Sequence, residues 1–300
     1  MQYSKKFTKH INLFFKDHKI FKDQFNNKGI FKNKTIAITG GAGSIGSLLA
    51  LKLLTFQVKK IVVIDNNEYS IFKLKQLINK KDKQKIDIKF LSILNKKQLE
   101  KNFKQYKFDY LYNCAAIKHV DIAEENKEET YRVNVQGTLK LLQLAKKYKV
   151  KKFIFISTDK AFYPKGVMGK TKFLAEKKII NYKANFEKKI LRFPNVITSS
   201  GSIVEIINDC IINKKTFYCK HKNLSRFFIF KTDTLEFILR ATDLPVSNKI
   251  IVLSRVKEAK IIDLIKYINK HFALTYQVSR LPKFEKISEN YSDFKNKVFI

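Results

Sequence analysis

The chain has 300 residues, 45% of them apolar, which suffices for a packed core and excludes a disordered or fibrous protein. Its formal charge of +35 would suit a nucleic-acid partner, yet only 6 of the 61 basic residues are arginine, the better bidentate phosphate reader, and the lysines are spread along the whole sequence, so no nucleic-acid role is expected. No run of about 18 apolar residues and no signal-peptide core occurs, which leads to the expectation of a cytoplasmic protein with no integral membrane segment; Cys114, Cys210 and Cys219 lack the spacing of a disulfide framework or a metal site.

Residues 1–33, rich in Lys and Phe (Phe14, Phe15, Ile20, Phe21, Phe25), read as an N-terminal arm, either helical and packed on the domain or partly mobile. Beyond it, apolar strands alternate with helical patterns, the mark of a parallel sheet covered on both faces. Strands are expected over 34–39, 60–65, 87–93 and 110–115, with helices over 44–55 and 68–79. One long helix is expected across most of 124–148, then a strand over 152–157, a helix over 167–182 and a strand over 189–196. The expected fold class is α/β. A Rossmann doubly wound parallel sheet spans 34–196, and 197–300 form mainly a small C-terminal substrate-binding cap with some segments returning to the sheet.

Four of the nine glycines fall in one short window, Gly40, Gly41, Gly43 and Gly46. Gly40-x-x-Gly43-x-x-Gly46 follows a strand and leads into a helix opening at Ser44 and Ile45, which is the context a dinucleotide-binding turn requires. The glycines let the backbone approach a pyrophosphate, and the helix N-terminus offers free N–H groups and partial positive charge. Asp65 ends the second strand, where a carboxylate binds adenosine ribose hydroxyls and repels a 2′-phosphate. NAD is therefore favoured, although Lys59, Lys60, Lys73 and Lys75 would tolerate NADP. The plainer role for Asp65 is an N-cap.

Further along stand Ser157-Thr158-Asp159-Lys160-Ala161 and Met168-Gly169-Lys170-Thr171-Lys172. A short-chain dehydrogenase places tyrosine four residues before this lysine, and here Met168 holds that position. Together with residues 38–47, Cys114-Ala115-Ala116-Ile117-Lys118-His119-Val120, Asn134-Val135-Gln136-Gly137-Thr138, residues 192–202 and Ser225-Arg226-Phe227-Phe228, these segments make six blocks in order. The sequence over about 30–255 resembles the extended short-chain dehydrogenase/reductase superfamily. Within it the blocks resemble the nucleotide-sugar 4,6-dehydratases of bacterial polysaccharide and protein-glycan biosynthesis. The nearest branch is the soluble catalytic part of the large membrane-bound UDP-N-acetylglucosamine 4,6-dehydratases.

The resemblance implies a recycled NAD(P), a UDP-sugar substrate and a homo-oligomer. It assigns Lys160 as the base at sugar C5, Asp159 as the acid for the departing 6-hydroxyl, and Thr158 as the residue that orients the 4-hydroxyl. Lys172 would hold the nicotinamide ribose, and Met168 marks the branch that retains configuration at C5. Gly40, Gly43, Ser44, Ile45, Gly46, Asp65, Ala115 and Ala116 would line the cofactor site. Lys118, Asn195, Ser202 and Arg226 would reach the substrate, Arg226 because a guanidinium engages two phosphate oxygens. Tyr163 is a nearby phenol, five residues before Met168. Two departures stand out: Ser92 where the family has an adenine-binding Asp, and Pro194 where it has Gly. The competing readings are a related UDP-sugar 4-epimerase, which normally keeps the tyrosine, a dehydratase that inverts C5, and a catalytically decayed NAD-binding homologue.

Overall fold

A computed structural model describes residues 3–289 and 297–300. The strands in chain order are β1 (Thr35–Thr39), β2 (Lys60–Asp65), β3 (Ile86–Phe90), β4 (Tyr110–Asn113), β5 (Lys152–Thr158), β6 (Glu187–Phe193), β7 (Asn195–Val196), β8 (Phe217–Cys219), β9 (Ser225–Ile229), β10 (Lys249–Val252), β11 (Lys257–Lys260), β12 (Tyr276–Val278) and β13 (Lys297–Phe299). Eight of them form one parallel sheet in the order β13-β10-β6-β5-β4-β1-β2-β3. This is the doubly wound Rossmann arrangement, with its switch point between β1 and β4. Strands such as Thr35–Thr39 are buried along their whole length because helices cover both faces.

The helices are α1 (Lys5–Phe14), α2 (Ser44–Leu54), α3 (Glu68–Leu77), α4 (Lys96–Tyr106), α5 (Val120–Glu125), α6 (Lys127–Tyr131), α7 (Thr138–Lys147), α8 (Val167–Asn181), α9 (Ile203–Ile212), α10 (Lys231–Asp243) and α11 (Ile261–Asn269). Residues of α2, α3 and α10 fill one core against the sheet, and residues of α4, α7 and α8 fill the other. Thus α10 lies beyond residue 197 yet packs on the large sheet, and β10 and β13 extend it.

Three stretches depart from the sequence reading. The expected long helix over 124–148 is broken into α5, α6, a π-helical turn at Arg132–Gly137, and α7. Gly137 in that turn lies so close to Ile93 that a Cβ would stand 2.5 Å from its Cδ1. The expected strand over 189–196 ends at Phe193, because Pro194 has no N–H to continue a ladder; Asn195 and Val196 then pair with β9 in a separate three-stranded sheet. Helix α4 has no counterpart in the sequence reading, since its buried apolar face is only Leu99 and Phe103.

The N-terminal arm is described from Tyr3 onward and packs on the domain; Met1 and Gln2 lie outside the described residues. Ser4 caps α1 by accepting the Phe7 N–H at 3.1 Å. Phe7, Ile11 and Phe15 then bury against residues of α9, β8, β9 and α11. Further on, Asp233 of α10 accepts the backbone N–H groups of Ile20 (3.0 Å) and Phe21 (3.2 Å), and Glu236 accepts that of Phe25 (2.5 Å).

Two consecutive lysines on β6 are fully buried, one on each face of the sheet. Lys188 donates to the Ile179, Ile180 and Tyr182 carbonyls at the end of α8. Lys189 donates to those of Thr242 and Leu244 at the end of α10. Each ammonium sits where the helix dipole is negative and the last carbonyls lack partners.

Candidate active site

A cleft of about 1030 Å³ opens along the carboxyl ends of the strands, between the large sheet and the segments after Pro194. Such a position is where open parallel sheets hold their ligands. At its floor the turn after β1 brings Gly40 against the end of β4. Gly40 has φ +62°, and a Cβ there would lie 2.6 Å from the Ala115 backbone. Gly46 crosses the same turn, where a Cβ would meet the Gly40 carbonyl oxygen at 2.4 Å. The turn therefore has its shape only with glycine at both places. It presents the first turn of α2, with Ser44 and Ile45, to the cleft. These residues fit a dinucleotide: a backbone cradle without side chains, ending in a helix N-terminus suited to a pyrophosphate.

Asp65 lines the cleft at the end of β2 and ties the turn in place. It accepts the Ala42 N–H at 2.9 Å and the Asn67 N–H at 3.0 Å. The N-cap of the following helix is Asn67, which accepts the Ser70 N–H at 2.8 Å. Ser92, Ala115 and Ala116 line the same region.

Thr158, Asp159 and Lys160 emerge where β5 ends. The Thr158 hydroxyl donates to Asp159 Oδ1 at 2.8 Å, and Lys160 Nζ donates to the same oxygen at 3.1 Å and to Asn195 Oδ1 at 3.1 Å. Thr158 and Lys160 line the cleft, whereas Asp159 sits behind them, 1% exposed. Its other carboxylate oxygen, Oδ2, has no partner among the described residues. Asp159 is thus reached through Thr158 and Lys160. Asn195 lines the cleft, with its amide committed to Lys160 and to the Phe227 carbonyl at 3.0 Å.

Met168 and Lys172 face the cleft from α8, one turn apart. The Lys172 ammonium is 5% exposed, donates to the Ile156 carbonyl at 2.8 Å and lies 4.4 Å from the Phe155 ring centre. Burial pushes its pKa down to about 8, against smaller upward pulls from Cys114 and Glu176. Behind this wall, Glu176 accepts from Ser157 at 2.5 Å and from Arg192 at 2.8 Å, a buried network fixing α8 to β5 and β6. Asn134, from the π-helical turn, bonds both backbone groups of Ile117 and the Thr171 hydroxyl, so it fixes the loop after β4 to α8. Tyr163 stands apart: it is 72% exposed, at φ +43°, and does not line the cleft.

Toward the outer end of the cleft, Arg226 donates to the Ser225, Lys286 and Ile287 carbonyls and to Glu285 Oε2 at 3.1 Å. Lys220 bonds the other oxygen of Glu285 and also Asp121. Ser202 is the N-cap of α9 and accepts the Glu205 N–H at 3.3 Å. Lys118 donates to the Ser200 carbonyl at 2.6 Å. Lys220, Glu285 and Ser200 were not singled out by the sequence reading; in the sequence they are an ordinary lysine, glutamate and serine in irregular stretches, and only the fold brings them to the cleft.

Over residues 36–288 the sequence matches the polysaccharide biosynthesis protein family. The uncharacterized membrane protein MJ1061 of Methanocaldococcus jannaschii is 35% identical over 253 residues, covering 82% of this chain and 74% of that protein. The capsular polysaccharide biosynthesis protein CapD of Staphylococcus aureus is 33% identical, covering 78% of this chain but only 40% of the longer protein. An inverting UDP-N-acetylglucosamine 4,6-dehydratase of Campylobacter jejuni is 27% identical over 267 residues, 87% of this chain and 78% of that one. Among solved structures, Pen from Bacillus thuringiensis superposes with a TM-score of 0.79 at 25% identity, covering 86% of this chain and 81% of that one. The dTDP-glucose 4,6-dehydratase DesIV of Streptomyces venezuelae, with NAD and TYD bound, shares the fold at a TM-score of 0.77 and 16% identity, covering 86% and 88%. No helix among the described residues is long and apolar enough to cross a membrane. The chain belongs to the polysaccharide biosynthesis protein family and is built on the extended short-chain dehydrogenase/reductase fold.

Proposed function

We propose that this chain is an NAD(P)-dependent UDP-N-acetylglucosamine 4,6-dehydratase, preferring NAD, that makes a UDP-4-keto-6-deoxy-N-acetylhexosamine with retention at C5. The observation that carries this reading is the linked trio Thr158–Asp159–Lys160 at the cleft wall, with a thioether, Met168, lining the same cleft in the usual place of a phenol. An alcohol oxidation alone needs one proton acceptor; two linked acid-base groups suit a reaction that also removes a C–H proton and expels hydroxide as water. What a nicotinamide dinucleotide supplies is a two-electron oxidation at C4 and its reversal at C6, so the cycle is redox-neutral. Gly40, Gly43, Gly46, Ser44, Ile45, Asp65, Ala115, Ala116 and Lys172 would hold it.

The chain's own groups then divide the proton work. Thr158 donates its hydrogen to Asp159, which leaves its oxygen lone pairs to accept the hydrogen of the sugar 4-hydroxyl. That proton reaches Asp159 and is the one available to the departing 6-hydroxyl, which leaves as water. Lys160, held by Asp159 and Asn195 and acting as the free amine, would take the C5 proton made acidic by the 4-ketone, becoming the ammonium, and return it to the same carbon. The proton count closes: each group ends as it began. Lys172 would place positive charge beside the ribose, and Lys118, Ser202 and Arg226, which line the same cleft, would engage the UDP moiety.

The test is to make Lys160→Ala and Asp159→Asn and assay UDP-N-acetylglucosamine conversion together with NADH binding. Both variants should lose the 4-keto-6-deoxy product and still bind NADH. Near-wild-type turnover in either variant would remove the trio from the mechanism.

A further inference from the structure

Between β7 and α9 the chain crosses the mouth of the cleft as a short strap. Within it Ser200 is tied to the dinucleotide turn 156 residues away in sequence: the Ser44 hydroxyl donates to Ser200 Oγ at 3.0 Å and accepts the Ser200 N–H at 3.0 Å. Lys118, from the loop after β4, donates to the Ser200 carbonyl at 2.6 Å. Gly201 is pressed on the His119 ring so closely that a Cβ would stand 1.9 Å from Cε1. Ser199 and Gly201 line the cleft, whereas Ser200 is exposed on its rim.

The strap is bracketed by two residues in the left-handed region, Thr198 at φ +61° and Gly201 at φ +68°. For Thr198, a β-branched residue, that conformation is strained and persists only where surrounding contacts hold it. A hinge absorbs its motion at a few loop positions of this kind. On the far side the strap is anchored firmly, because Ser202 caps α9 and Glu205 accepts the Gly201 N–H.

We propose that residues 198–201 are a latch over the dinucleotide cleft, fastened by Ser44–Ser200 and by Gly201 on His119, which must lift before a dinucleotide enters or leaves. This inference rests on the dinucleotide reading of the glycine turn. It explains why the contacts run to Ser44, the first residue of the helix whose N-terminus the turn presents. Such a device suits a redox-neutral cycle, in which the dinucleotide has no need to leave between turnovers.

Two variants test it, with NADH fluorescence as the readout. In Ser44→Cys/Ser200→Cys, oxidation to a disulfide should trap preloaded NADH through dilution and block loading of the empty protein. Because Ser44 also lines the cofactor site, the comparison stays within this variant: reduction with dithiothreitol should speed both exchange and loading relative to its own oxidised form. In Gly201→Ala the added Cβ has no room, so the latch stays lifted. Stopped-flow association and dissociation rates should then both rise at least about tenfold while the affinity changes little, since a gate alters both rates alike. Equal exchange from the oxidised and reduced double variant, or unchanged rates in Gly201→Ala, would overturn the latch. A wild-type protein that binds no NADH would instead overturn the dinucleotide reading itself, and the latch with it.

Discussion

Replacing Lys172 by methionine should make the protein more stable at neutral pH and less stable in alkali. The ammonium is almost fully buried, and its pKa falls from 10.5 to about 8. That gap of about 2.5, at about 1.4 kcal/mol for each pH unit, means that holding the charged form costs the fold about 3 kcal/mol at pH 7. Methionine removes this cost, but it also leaves the Ile156 carbonyl without its donor and the Phe155 face without its cation. Those losses amount to about 1–2 kcal/mol, so the net gain at pH 7 is about 1–2 kcal/mol. Because the folded-state pKa is lowered, the unfolded chain binds more protons between about pH 8 and 10.5. Wild-type stability therefore climbs with pH across that window, whereas the variant's does not. By its upper end Lys172 is uncharged, so only the lost hydrogen bond counts and the order reverses, leaving the variant about 1 kcal/mol the weaker. Urea denaturation of both proteins at intervals from neutral pH to the top of the window reads this directly. A variant less stable at pH 7, or a difference that does not change with pH, would refute the reasoning. A residue that lowers stability where it stands is the pattern expected of a group kept for function.

The buried Lys188 should behave in the opposite way. It serves three carbonyls at the end of α8 where Lys172 serves one, so Lys188→Met should lower stability by about 2–4 kcal/mol at pH 7, read as a drop in the urea midpoint at unchanged slope. Gly46→Ala should abolish NADH binding in a fluorescence titration, since the new Cβ would fall 2.4 Å from the Gly40 carbonyl oxygen; retained affinity would mean that the turn is not the binding cradle. Tyr163→Phe should leave turnover unchanged, because its phenol lies outside the cleft, and a marked fall in kcat would place it in the proton path after all.

The Rossmann sheet was legible because its strands are short apolar runs punctuated by turns, and because Gly40, Gly43 and Gly46 sit where β1 meets α2. What the sequence hid followed from tertiary context. Helix α4 has only Leu99 and Phe103 on its buried face, too few for a clear period. Pro194 stands out in the sequence only as a departure from the family's glycine, yet it separates the last strand residue of one sheet from the first of another. Lys188 and Lys189 look like two more surface lysines in a lysine-rich chain; only the helix ends above and below β6 show why both are inside. In the cleft, the trio Thr158–Asp159–Lys160 was legible as a motif, but its layering was not. That Asp159 lies behind Thr158, and that Asn195 holds Lys160, depends on how the end of β5 and β7 converge. The partners of Arg226 come from residues 285–287, about 60 positions downstream, where no local pattern announces them.

The most direct measurement is to incubate the protein with NAD⁺ and UDP-N-acetylglucosamine and follow the sugar nucleotide by mass spectrometry and proton NMR. A 4,6-dehydratase gives a product lighter by one water, with a 4-ketone, a C6 methyl group and the original configuration at C5, and no net accumulation of NADH. A product of unchanged mass with inverted C4, or unaltered substrate beside protein that binds NADH, would contradict it.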